Sequence, residues 1–127
     1  MFSTVHDLAA VGRSILNSTL LRPALTRRWM KPHSHTADLT YSVGAPWEIQ
    51  RTQVNGRTVD LYTKSGDILA SNSLLVLVPD YNVGFVALGV TTTMNPSAVS
   101  TEGHNAVAVI TNQIGQTLLP VLEDIAR

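Results

Sequence analysis

An Asn-Gly pair at positions 55 and 56 limits the possible folds of this 127-residue chain more than any other feature. Asn-Gly suits a two-residue turn in which both residues have positive φ, and such a turn joins two neighbouring antiparallel strands. A second turn signal follows, where Pro79 and Asn82 stand at favoured turn positions. The flanking runs are rich in β-branched, aromatic and aliphatic residues. The sequence therefore predicts four antiparallel strands, at 46–54, 57–63, 73–78 and 83–90.

The N-terminal part predicts two helices. Thr4 is a typical N-cap, and Asp7 stands where a capping-box carboxylate reaches back toward it. Pro23 suits the first turn of a short second helix that Pro32 ends. The polar, aperiodic stretch 33–42 is interpreted as a loop. The apolar stripe of the first helix consists of Leu8, Val11, Gly12, Ile15 and Leu16.

The C-terminal part predicts one more helix, which follows a loop at 91–100. It begins near Thr101, Pro120 kinks or ends it, and 121–126 add a turn. We predict an α+β fold in which the first and last helices cover the one apolar face of a four-stranded antiparallel sheet. Residues 1–127 form a single domain. The apolar stripe of the last helix consists of Val107, Ile110, Ile114 and Leu118.

Composition argues against several classes of function. Nine basic and nine acidic residues give zero formal charge without a basic tract, so no nucleic-acid or membrane partner is expected. The longest apolar run, 74–78, is far shorter than a membrane span. The absence of cysteine excludes disulfides and thiolate zinc sites, and no cofactor or metal is expected. A helix cap directly after Met1, without a signal-peptide pattern, is typical of an excised domain or a truncated reading frame.

The residues with chemical potential are Lys64-Ser65-Gly66, which follow the strand-like run 57–63. A Lys-Ser/Thr-Gly triplet on a strand is one of three motifs that mark the penicillin-recognising serine hydrolases. The other two, Ser-x-x-Lys and Ser/Tyr-x-Asn, do not occur in the sequence. Its two lysines, Lys31 and Lys64, are preceded three positions earlier by Arg28 and Leu61. The chain therefore contains a wall of such a site but not its nucleophile.

Four segments, in the right order, are similar to class C β-lactamase-like proteins, in particular to the C-terminal domain of fungal secreted β-lactamase-like serine hydrolases. They lie at 2–16, 21–32, 60–67 and 74–85 and span nearly the whole chain. The resemblance implies a partial β-lactamase-like α/β domain that lacks the all-helical part and the first strands. It also implies secretion for a full-length member, whereas the sequence itself leaves the compartment open. Leu69 and Ala70 depart from the family, because relatives tend to have glycines there, which admit closer backbone approach.

The resemblance also implies a role for each residue of the triplet. Lys64 is the candidate catalytic residue, since it would place a positive charge near the nucleophile and base. Ser65, Gly66 and Asp67 are the candidate substrate-binding residues. Ser65 would offer its hydroxyl to a substrate carboxylate, and Gly66 would leave room for substrate along the strand. The backbone N–H of Asp67 would be the second oxyanion donor.

Two functions remain open at this point. The first is a C-terminal segment of a serine hydrolase or transesterase, inactive alone, whose partners are the missing N-terminal portion and a small acyl substrate. The alternative is a non-catalytic interaction or remnant protein that associates, also with itself, through an exposed sheet edge. An independent small enzyme is disfavoured, because the sequence contains no recognisable nucleophile–base pair.

Other polar and aromatic residues have ordinary structural interpretations. His33 and His35 could suggest a metal pair, but loop histidines without a nearby carboxylate at ligand spacing fit better. His6 and His104 are expected on helix surfaces. Trp29 and Trp47 are expected to form core or helix–sheet contacts rather than to bind sugars. Tyr62 and Tyr81 are expected to cap the sheet, and a role for Tyr62 near the site is the alternative. The sequon at Asn17 has meaning only in a secreted chain.

Overall fold

A computed structural model describes residues 3–68, 71–90 and 102–127, the last stretch with side chains from Ala106 onward. The predicted loop 91–100, the departures at Leu69 and Ala70 and the surface position of His104 lie outside the described residues. Each remains a prediction.

The two N-terminal helices are present, and their caps explain their bounds. The first, α1 (Val5–Leu16), begins after Thr4, whose Oγ accepts a hydrogen bond of 3.2 Å from the N–H of Asp7. The Asp7 carboxylate accepts the Thr4 hydroxyl in return, at 2.9 Å, which differs from the backbone bond of a capping box. The second helix, α2 (Pro23–Trp29), has proline at its first position, as predicted, and ends three residues before Pro32.

The sheet has six antiparallel strands among the described residues, so the prediction of four was incomplete. The two additional strands are β1 (Ser34–His35) and β2 (Tyr41–Val43), both within the predicted loop 33–42. The predicted strands correspond to β3 (Glu48–Val54), β4 (Arg57–Ile68), β5 (Ser71–Val78) and β6 (Val83–Val90). The strands lie side by side in chain order. Strands of two and three residues carry no clear periodicity, so β2 exists only because β3 offers its edge, and β1 because β2 offers its own.

The two predicted turns have the expected geometry. Asn55 and Gly56 have φ values of 47° and 84°, the left-handed pair that a tight hairpin between β3 and β4 requires. Between β5 and β6, Pro79–Tyr81 form a short 3-10 turn that ends at Asn82, with φ of 53°. The turn between β3 and β4 sets the pairing of Glu48 with Thr63.

The last helix, α3 (Glu102–Ala126), runs through Pro120, so of the two alternatives predicted there the helix does not end. Its predicted apolar stripe is wrong in part, because Ile110 and Ile114 are exposed. The buried face follows a four-residue spacing instead, at Val107, Thr111, Gly115, Leu119 and Glu123.

The helices cover opposite faces of the sheet, so the predicted arrangement on one face is wrong. Leu77 of β5 packs in a cluster with Ile15 of α1, whereas Val76 and Val78 pack in a second cluster with Leu119 of α3. Successive side chains of a strand point to opposite faces, and β5 is apolar on both. The molecule therefore has three layers, with α1 and α2 on one face of the sheet and α3 on the other.

The two tryptophans pack as predicted. Trp47 is buried, with Trp29 of α2 at a ring-centroid distance of 5.2 Å and Tyr62 of β4 at 6.2 Å. These rings fix the entry into β3, since Trp47 stands directly before its first residue.

No helix within the described ranges is long and apolar enough to cross a membrane.

Candidate functional site

The predicted site residues lie where β4 extends beyond β3. The last pair between these strands is Glu48 with Thr63, whereas β4 continues to Ile68. From Lys64 onward, β4 pairs with β5 alone. The sequence analysis ended this strand at Thr63, but the structure places the whole triplet within it. The triplet thus lies in the sheet and at a margin of it.

Hydrogen bonds between β2 and β3 determine which way the backbone of this segment points. Arg51 donates its N–H to the carbonyl of Thr40, and Trp47 accepts from Gly44, so the odd residues of β3 face β2. The even residues, including Glu48, consequently face β4 and bond to its odd residues.

The same alternation continues past the end of β3. Since Thr63 directs its N–H and C=O toward β3, Ser65 and Asp67 direct theirs to the same side of β4, beyond Glu48. Lys64 and Gly66 direct theirs toward β5. A ligand or peptide that lies along this margin would therefore meet the backbone groups of Ser65 and Asp67.

Glu48 connects the end of β3 to the triplet. Its Oε1 accepts from Lys64 Nζ at 3.2 Å and from the Ser65 hydroxyl at 3.4 Å, and its backbone carbonyl accepts the Thr63 hydroxyl at 2.8 Å. The Lys64 and Glu48 side chains are 43% and 34% exposed, so water screens this ion pair. The sequence analysis missed Glu48.

The other two predicted residues are held from β5. Ser73 donates its hydroxyl to the carbonyl of Gly66 at 3.2 Å, and a Cβ on Gly66 would lie 2.7 Å from that hydroxyl oxygen. The absence of a side chain at Gly66 therefore leaves room for the Ser73 side chain and keeps this part of the strand surface open. The buried Asn72 donates to the Asp67 carboxylate at 2.6 Å, which fixes the end of the segment.

Away from the triplet, a serine–histidine contact joins the outer strands. The Nδ1 of His35 lies 2.9 Å from the hydroxyl of Ser42. His35 is on β1 and Ser42 is on β2, and β3 separates both strands from β4. No acidic residue contacts His35 within the described structure, so the pair lacks the orienting group of a catalytic triad. His6 is exposed.

The described residues contain no group of three or more His, Asp or Glu side chains that could hold a metal ion. The triplet itself offers a cation, a hydroxyl and directed backbone groups.

A groove of about 620 Å³ runs between α3 and the face formed by β3 and β4. Its walls include Leu61 and Thr63, which share a strand face with Ser65, and Thr111 and Gly115 of α3. The groove thus leads along β4 toward the Ser65 side of the triplet.

One turn of α3 beyond Leu119, which lines the groove, Glu123 accepts from Tyr81, Arg57 and Arg127. The Tyr81 hydrogen bond is the largest of the contacts that hold the pKa of this carboxyl below its ordinary value. Since every oxygen of Glu123 is engaged by donors, we assign this cluster to the attachment of α3, not to catalysis.

Comparison with known proteins finds one similarity that covers the chain. The chain is 32% identical to a "Beta-lactamase-like protein" of Arthroderma benhamiae, over an alignment of 137 residues that spans the full length of the chain. The chain covers 21% of the length of that relative and matches a C-terminal part of it. No protein-family model and no solved structure match the chain.

Proposed function

We propose that this chain is the C-terminal segment of a serine β-lactamase-like hydrolase or transesterase and supplies one wall of its acyl-transfer site. The observation that carries the proposal is the position of Lys64-Ser65-Gly66 on the part of β4 that extends past β3. The similarity to a C-terminal part of a β-lactamase-like protein supports it independently.

In this proposal the attacking serine and its base belong to polypeptide outside this sequence. The serine oxygen adds to the acyl carbonyl, and negative charge develops on the carbonyl oxygen. One N–H of the oxyanion hole comes from the nucleophile, and the second comes from Asp67, whose backbone is directed to the margin of β4. A strand supplies such a donor in a fixed orientation, so it need not reorganise during the reaction.

The side chains of the triplet have supporting roles. Lys64 places a positive charge beside the nucleophile and favours deprotonated partners around it. Ser65 provides a hydroxyl at the margin, and Gly66 keeps the strand surface open. None of these groups can act on substrate without the missing serine, so we expect the chain alone to be inactive.

Complementation tests the proposal. The Arthroderma relative, shortened by the part that matches this chain, is expressed with and without this chain, and hydrolysis of p-nitrophenyl butyrate and nitrocefin is measured. The intact relative is the positive control. We expect turnover only when the chain is present, and a loss of about 10²–10³ in rate with Lys64→Ala, the magnitude seen when an electrostatic group is removed from such a site.

The outcomes are distinct. Asp60→Asn, which changes charge on the same strand but away from the margin, should complement as well as the unchanged chain. Turnover by the chain alone that Lys64→Ala abolishes would contradict the expected inactivity. Full complementation by the Lys64→Ala variant would contradict the assigned site.

A second function, non-catalytic association through a sheet edge, is favoured by β6. This eight-residue strand pairs with β5 alone among the described residues, and its Leu88 and Val90 are exposed. An unprotected apolar edge is a template for strand addition. It remains the alternative if complementation fails and the chain self-associates.

A further inference from the structure

Glu48 occupies the position at which a ligand would approach the triplet. Lys64 pairs with Leu75, which packs on the α1 side of the sheet, whereas Ser65 pairs with Leu74, which packs on the α3 side. The two side chains therefore leave β4 on opposite faces. Both nevertheless reach the same oxygen, Oε1 of Glu48. An oxygen reached from both faces lies close to the plane of the sheet, in line with the end of β3.

This carboxylate has the chemistry of a substrate carboxylate. It accepts a hydrogen bond from a lysine ammonium and another from a serine hydroxyl, which are the two side-chain donors that the triplet offers to an anion. Two carboxylates cannot share these donors without mutual repulsion, because each carries a full negative charge at a distance of a few ångströms.

We propose that Glu48 is a specificity-determining residue, which selects acyl donors that carry no negative charge beside Ser65. Neutral esters are the substrate class that fits, and substrates with a carboxylate at this position are disfavoured. The inference rests on the proposed acyl-transfer function and adds the substrate class to it. The pair is half-exposed, so a neutral ligand can share the Ser65 hydroxyl without breaking a strong contact.

The test compares two probes that differ in one charge, N-acetylglycine and its methyl ester. Their binding to the isotope-labelled chain is followed by NMR, from the shifts of the Ser65 and Asp67 amides. In the unchanged chain, we expect the ester to shift these amides at lower concentration than the acid. In Glu48→Gln, which keeps size and one acceptor oxygen, the acid should bind about three to ten times more tightly than before, as the loss of one like charge at this distance predicts.

Asp60→Asn is the matched control. Asp60 lies on β4, the strand of Ser65, and pairs with Arg51 across the β3–β4 ladder at 2.8 Å, and its substitution removes the same charge. Its effect on acid binding at Ser65 should be below twofold, because the change is remote from the margin and screened by salt.

Three results would overturn the inference. They are equal affinity of the acid for the unchanged chain and Glu48→Gln, tighter binding of the acid than the ester to the unchanged chain, and no shift at Ser65 with the acid in Glu48→Gln. None of these three NMR results would change the expected outcome of the complementation assay. Failure of complementation with the expected NMR result would instead contradict the catalytic role and leave Glu48 as a filter at a ligand site.

Discussion

At the scale of single residues, Glu123 shows how a polar contact can attach a helix to a sheet. Its carboxylate, 6% exposed, accepts from Tyr81 at 2.8 Å, from Arg127 at 3.2 Å and from Arg57 at 3.3 Å. Arg57 belongs to the β3–β4 hairpin and Tyr81 to the turn before β6, so the Glu123 side chain attaches α3 to both the hairpin and the turn.

These contacts make the stability of the folded chain depend on pH. The Tyr81 hydrogen bond, followed by those from Arg127 and Arg57, holds the folded-state pKa of Glu123 below its ordinary value of 4.5. A depressed carboxyl pKa stabilises the folded state above the ordinary value, and this contribution is lost as the pH falls through the folded-state pKa. We expect the melting temperature of Glu123→Gln to fall less than that of the unchanged chain between about pH 5 and about pH 3.

Tyr81→Phe provides the control for this prediction. It keeps the carboxylate but removes the contact that lowers its pKa most, so the pKa of Glu123, measured by carboxyl ¹³C shifts, should rise. The assignment of the acid dependence to Glu123 would be wrong if Glu123→Gln and the unchanged chain had parallel pH profiles.

At the scale of elements, two glycines stand where α1 meets the sheet, and both would place a Cβ against Leu77. A Cβ on Gly84 of β6 would lie 2.8 Å from Leu77 Cδ2 and 3.0 Å from the Val76 carbonyl oxygen. A Cβ on Gly12 of α1 would lie 3.0 Å from the same Leu77 atom. The close packing of α1 against β5 and β6 therefore depends on the absence of side chains at these two positions.

Gly84→Ala should consequently destabilise the fold by about 1–3 kcal/mol, the usual cost of adding a methyl group where space is occupied, here by the buried Leu77. Gly115→Ala is the matched control on α3, where the new Cβ would meet Phe85 and Leu119 at 3.8 and 3.9 Å. We expect it to stabilise by up to about 1 kcal/mol, because alanine favours helix more than glycine. Urea unfolding of both variants measures this, and loss of stability in Gly115→Ala together with none in Gly84→Ala would contradict the packing described.

At the scale of the whole molecule, the chain exposes two apolar surfaces of different kinds. On β6, alternation from the β4–β5 ladder directs the backbone of Val86, Leu88 and Val90 outward, away from β5. On α3, the second surface is a row of exposed side chains on the helix, formed by Ile110, Ile114, Val121 and Ile125. Under the proposed function, such surfaces are expected positions for the polypeptide that supplies the nucleophile.

We expect the isolated chain to self-associate, mainly through β6, because strand addition satisfies backbone groups as well as apolar side chains. Leu88→Lys should shift the sedimentation profile toward monomer at concentrations where the unchanged chain associates. Ile114→Lys adds the same charge to α3 and should have a smaller effect. The prediction would be refuted if the unchanged chain were monodisperse and monomeric. A larger effect of Ile114→Lys than of Leu88→Lys would show that the interface lies on α3 instead.

Local signals predicted most of the hairpin framework. Asn55-Gly56 implied the register of β3 with β4, and that register places Glu48 opposite Thr63 and next to Lys64. The contact of Glu48 with the triplet could therefore have been predicted from the turn alone. The face of α3 could not, because its sequence offers apolar residues at two adjacent stripes, and only packing against β5 and β6 buries Leu119 rather than Ile114.

By itself, the sequence determined the features that depend on a few neighbouring residues, namely the cap of α1 at Thr4 and the tight turn at Asn55-Gly56. Only the tertiary structure decided that β1 and β2 are strands and that α1 and α3 cover opposite faces. It also decided that the pairing of β3 with β4 stops at Thr63, one residue before Lys64. The reason is physical. Caps and turns are satisfied by local hydrogen bonds, whereas the number of strands, the choice of a buried face and the end of a strand depend on partners distant in the chain.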